Sequence, residues 1–131
     1  MRYLIDSDWV ASYLNGRSDA VNLLGTLAPD GLAISLITYG EIYEGIYYGS
    51  NPPQHERGFR HFLELVDVLP LSKLIMRRFA RIRGELRQCG QLILDPDLLI
   101  AATALHHELT LVTGNTNHFQ RIPTLVVYEI R

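Results

Sequence analysis

At 131 residues the chain holds one domain with a real core and is too short for two, so residues 1–131 are read as a single unit. Hydrophobic residues make up 47% and charged residues 20%, which excludes a disordered chain; no apolar run approaches the ~18 residues of a membrane span, and MRYLI is too short for a signal peptide. Net charge is −2 but unevenly spread: residues 72–94 carry Lys73, Arg77, Arg78, Arg81, Arg83 and Arg87 against Glu85, for +5, and the rest of the chain carries −7.

RYLI at 2–5 reads as a strand, and Asp6–Leu14 as a helix that Asp6 is placed to cap. Asp19–Leu27 has apolar residues at helical spacing, and LAPDG at 27–31 is turn chemistry. LAISLI at 32–37 reads as a second buried strand, followed by a helix from Thr38 to Tyr48. A break at Gly49–Pro53 leads into an amphipathic helix over 54–66, and VDVLPL at 66–71 into a short strand. The basic segment forms a helix over about 72–88 that stops near Gly90. Cys89 beside it is the lone cysteine, which excludes an internal disulfide, fits a reducing cytoplasm and is expected to be an inert thiol at least half-buried. Asp95-Pro96 looks like an N-cap followed by a first-turn proline, opening a helix to about His107. LTLVT at 109–113 and TLVVYEI at 124–130 read as the last strands.

Apolar strands alternating with helices predict an α/β fold: a three-layer α/β/α sandwich around a central, mostly parallel sheet. In such sheets chemistry collects where strands end and helices begin. Asp6, Glu41, Asp97 and Asn115 sit just past a strand, one helical turn past one, or at the start of a helix, so the fold is expected to gather them at one sheet edge. Each has a plain reading alone: cap, solvated helix face, dipole partner, turn residue. Together they form a cluster of hard oxygen donors that repel one another without a cation, and such donors suit Mg2+ or Mn2+. Ser7, Ser35, Thr38 and Thr113 lie at the same transitions, where hydroxyls orient carboxylates or cap helices. The suggested reaction is direct attack of a metal-activated water on a phosphodiester, with Asp6 and Asp97 as ligands, Glu41 acting through water or on the nucleophile, and Asn115 bonding a water or the phosphate. Arg77, Arg81, Arg83 and Arg87 are expected to meet the phosphate backbone of a nucleic-acid substrate, although they are spread around their helix.

YLIDSD at 3–8, SLITYGEIYEG at 35–45, RIRGELRQCG at 81–90, DLLIAATAL at 97–105 and LVTGNTNHFQRIPTLVV at 111–127 run in one order over nearly the whole chain. In this they resemble the PIN-domain nucleases, and among them the VapC-type toxins of toxin–antitoxin pairs. The resemblance implies a metal-dependent endoribonuclease that inhibits translation or growth. Its acids fall on Asp6, Glu41 and Asp97, and its partners are RNA, an antitoxin and a second copy of the chain. Asn115 stands where many relatives carry Asp, which removes a charge and weakens a second metal. His118 belongs to the shared NHF element, either near substrate phosphate or, the favoured reading, holding its loop by hydrogen bonds. Asp8 is a candidate supporting group.

Tyr39, Tyr43 and Tyr47 form a helical stripe that suits an interface or the core equally. His106 and His107 end a helix, and His55 and His61 are expected to face solvent. Competing functions are a PIN nuclease of RNA maturation or DNA processing, and a non-catalytic PIN-like binding module. A phospho-acceptor domain is disfavoured, because Lys73 is the only lysine and does not follow a late strand.

Overall fold

The computed structural model describes residues 1–130. Strand β1 (Tyr3–Ile5) is followed by helices α1 (Ser7–Leu14) and α2 (Ser18–Leu27) and a 3-10 turn at Ala28–Asp30. Next come β2 (Leu32–Ser35), α3 (Leu36–Tyr47), α4 (Pro52–Leu63), β3 (Val66–Leu69) and α5 (Lys73–Gln88). The chain ends with α6 (Asp95–His106), β4 (Thr110–Val112) and α7 (Thr116–Phe119).

The four strands form one parallel sheet in the order β3-β2-β1-β4. Tyr3 is in register with Leu32 on one side and Thr110 on the other, which fixes the strand ends at a common edge. Side chains alternate across the sheet. Leu4, Ala33 and Leu111 pack with Ile82, Leu86, Leu98 and Ala101 of α5 and α6. Tyr3, Ile5, Ile34 and Val112 face the opposite way, onto Val10, Leu24, Ile42 and Phe59 of α1 to α4. The expected α/β/α sandwich is therefore formed, with β1 covered on both faces and β3, bearing exposed Asp67, as an edge.

Several boundaries differ from the sequence reading. β2 stops at Ser35, and Leu36 and Ile37 belong to α3, because the Ser35 hydroxyl accepts the Ile37 N–H at 3.0 Å and caps the helix. α4 starts at Pro52, whose fixed φ suits a first helical turn and whose missing N–H costs nothing there. Asp95 is not the cap of α6: Leu94 occupies that position, Asp95 lies within the first turn, and its carboxylate pairs with Arg83. Residues 124–130 do not form a strand. They run beside β4 with a single bridge between Leu111 and Val127, held by Leu111 N–H to Val126 O (2.9 Å) and Tyr128 N–H to Leu111 O (2.7 Å). Gly90 ends α5 with φ +68°, as its position suggests, but Cys89 is exposed rather than buried.

Candidate active site

Asp6 follows β1 directly, and its N–H continues the ladder by donating to Val112 O at 2.9 Å. Its side chain is only 5% exposed. Oδ1 accepts the Ser7 N–H at 2.8 Å and the Ser7 hydroxyl at 3.4 Å, so Asp6 is the helix cap that its position predicts. Oδ2 accepts the Thr113 hydroxyl at 2.7 Å, a bond that spans the sheet edge from β4 to β1. Burial pushes the Asp6 carboxyl above its ordinary range; the Thr113 and Ser7 bonds oppose this, and the charges of Asp8 and Asp97 add to it.

Glu41 lies on α3 beyond the Ser35 cap. Its side chain reaches solvent, yet partial burial raises its carboxyl and the nearby charges of Asp6, Asp97 and Glu44 raise it further, while the neighbouring Ser7 hydroxyl lowers it. Asp97 stands in the first turn of α6 with its side chain 19% exposed. The fold thus brings Asp97 close enough to oppose the ionisation of Asp6, and both aspartates close enough to oppose that of Glu41.

The loop after β4 closes over this cluster. Thr113 Oγ1 accepts the Asn115 N–H at 3.0 Å while donating to Asp6. Asn115 Nδ2 lies 2.8 Å from His118 Nδ1, and the same nitrogen lies 3.3 Å from Asp97 Oδ2. His118 Nδ1 thus stands between the Asn115 amide and the Asp97 carboxylate, accepting from Asn115 in one tautomer and donating to Asp97 in the other. His118 therefore links the loop to Asp97, and Asn115 reaches the acids through it. Asp8 supplies a further tie: Oδ1 accepts the Trp9 N–H and Oδ2 the Gly114 N–H, each at 2.8 Å. An added Cβ at Gly114 would stand 2.7 Å from Asp8 Oδ2, so the exposed Asp8 carboxylate would have to swing aside and give up this bond. That role of Gly114 has no local sequence signal; only the fold sets it against a residue 106 positions away.

Other expected residues are placed differently. Thr38 is fully buried and its hydroxyl has no hydrogen-bond partner among the described residues. Arg83 Nε is bound to Asp95 Oδ1 at 2.9 Å. Arg77 and Arg81 line a groove with Leu105 and His106, at the end of α6 remote from Asp97, and Arg87 is exposed in the last turn of α5. The His106 and His107 rings meet edge to face at 4.8 Å, and burial, with His106 beside it, lowers the His107 pKa. His61 and His55 are exposed as expected, His55 on the rim of a cleft. That cleft, about 580 Å3, runs between α1 and α3 from Ser7 and Glu41 to Leu14 and Ile46. The tyrosine stripe is divided: Tyr39 and Tyr43 pack on Phe59, and Tyr47 stays exposed.

A PIN domain family model matches residues 3–125. The chain is 32% identical to Ribonuclease VapC2 of Rickettsia felis over 129 residues, 97% of this chain and 96% of that protein. It is 36% identical to Ribonuclease VapC1 of Methanocaldococcus jannaschii over 121 residues, 92% of this chain and 81% of that protein. Among solved structures, VapBC2 from Rickettsia felis bound to a DNA fragment from their promoter superposes with a TM-score of 0.92 at 29% identity, covering 100% of both chains. A toxin–antitoxin complex from Klebsiella pneumoniae gives 0.77 at 32% identity, covering 98% of this chain and 99% of that one. With its acids gathered at one edge of a parallel sheet and its similarity running nearly end to end, the chain belongs to the PIN-domain family and, within it, to the VapC ribonucleases.

Proposed function

We propose that this protein is an endoribonuclease that cuts RNA with the help of a divalent cation, Mg2+ or Mn2+, and acts as the toxin of a toxin–antitoxin pair. The observation that carries the reading is the gathering of Asp6, Glu41 and Asp97 at one sheet edge, where Asp6 is almost wholly buried and Asp97 opposes the ionisation of both Asp6 and Glu41. Carboxylates in this arrangement are stabilised by a cation, and three hard oxygen donors fit Mg2+ or Mn2+. Among the described residues no three His, Cys, Asp or Glu side chains already converge closely enough to hold an ion.

Asp6 and Asp97 would hold the cation, with Glu41 bonding one of its waters; when bound, it would polarise the phosphodiester and favour ionisation of the attacking water. The chain's own contribution is placement. Thr113 and Ser7 fix the Asp6 carboxylate, and Asn115 and His118 fix the edge facing Asp97. Similarity to VapC ribonucleases supports RNA as substrate, and similarity to toxin–antitoxin complexes supports an antitoxin partner.

The test is cleavage of total RNA by the purified chain with Mg2+, with chelator, and with Asp97→Asn. Cleavage should require the cation and fall by at least ~100-fold in the variant, the scale expected on losing a transition-state interaction of a few kcal/mol. Cleavage that persists in chelator, or in Asp97→Asn at full rate, overturns the assignment.

A further inference from the structure

The basic helix α5 makes a groove away from the acids, at the C-terminal end of α6. Arg77, Arg78 and Arg81 line it, with His106 on the opposite wall, over a floor that includes Ile82 and Leu105. Its volume is about 590 Å3. All three arginines are exposed, and none is in an ion pair among the described residues; Arg83, two residues beyond Arg81, is already held by Asp95. Glu85 is the one acid on the wall, and it pairs with none of them.

Three uncommitted guanidiniums around a partly apolar floor suit a polyanion that carries flat apolar groups between its charges. Arginine matches phosphate oxygens with two parallel N–H donors and also stacks on bases. An acidic peptide would satisfy the charges but has less use for that floor. We infer that this groove is a second docking site for the RNA strand, which holds backbone phosphates and an unstacked base outside the cleavage centre. The inference rests on the RNA reading above and adds where the strand goes. His106 is nine steps along α6 from Asp97, so the groove lies ~13 Å from the acids along the helix, or about four stacked nucleotides at ~3.4 Å each. A substrate cut at Asp97 therefore reaches the groove only if it extends several nucleotides to one side of the scissile bond.

The experiment measures binding of nested single-stranded RNAs, extended stepwise on the 5′ or the 3′ side of one cut site, by fluorescence anisotropy. The chain carries Asp97→Asn so that no cleavage intervenes. Affinity should rise about tenfold once the extension on one side passes about four nucleotides. Adding Arg77→Ala with Arg81→Ala should remove that step and reduce the salt slope by about 1.4, at ~0.7 per phosphate on a single strand. Both side chains are exposed, so an unchanged melting temperature confirms that the fold is kept. No length step, or the same step in the double variant, overturns the groove, as does loss of an antitoxin complex in the double variant with RNA binding intact. Because binding is read in a cleavage-silent chain, failure of the groove is distinguishable from failure of the nuclease reading, which the total-RNA assay decides.

Discussion

Thr113 Oγ1 donates to Asp6 and accepts from the Asn115 N–H, so one hydroxyl couples the buried acid to the loop that carries Asn115 and His118. Thr113→Val keeps the shape and deletes both bonds. Asp6 Oδ2 then lacks its donor in a nearly dry site, at a cost of about 1–3 kcal/mol. The Thr113 bond also lowers the Asp6 pKa, so its loss moves the acid higher still. The variant should melt lower than the parent, and the acidic limb of its pH–rate profile should shift toward higher pH; Thr113→Ser should restore both. A Thr113→Val profile that overlays the parent's would remove Thr113 from this role.

At the scale of elements, α3 begins where it does because Ser35 caps it. The apolar run through Leu36 and Ile37 reads as a longer strand, since periodicity does not separate a buried strand from the start of a buried helix. Ser35→Ala should cost about 1 kcal/mol in thermal unfolding. It should also lower kcat, because the first turn of α3 sets how Glu41 approaches Asp6. Destabilisation with kcat unchanged would leave Ser35 a cap and nothing more. That Asp6, Glu41 and Asp97 gather at one edge was legible in the sequence because Asp6 follows a strand, Asp97 opens a helix and Glu41 lies just over a turn into the helix after β2, in a sheet whose strands all point one way. The Asp95 carboxylate was not, because Asp-Pro resembles a cap locally while its partner, Arg83, lies on another helix. The contact between His118 and Asp97 was equally hidden, since it depends on α7 settling over the start of α6. The tail at 126–128 has a strand's composition but gains only one bridge, so composition overstated it.

At the scale of the whole molecule, acids collect at the strand-end edge of the sheet while α5 carries the basic excess, and the acid cluster sets a pH dependence. Asp6 and Glu41 both have folded pKa values above their ordinary range. A group raised in this way contributes stability that is complete below its unfolded pKa and is lost as pH rises through the folded value. Without metal, these two groups therefore favour the fold near pH ~4 and oppose it toward neutrality. Asp97 is a source of the shift in both, so Asp97→Asn relieves part of the opposition. In chelator at pH 7.5, Asp97→Asn should melt above the parent, and the gap should close as pH falls toward 4. Saturating Mg2+ should reverse the order, because a ligand bound only by the folded state raises the parent's melting point by mass action and the variant has lost a donor. A parent that melts above Asp97→Asn in chelator at neutral pH would mean that the three carboxylates do not oppose one another there. The electrostatic basis for a cation at this edge would fall with it.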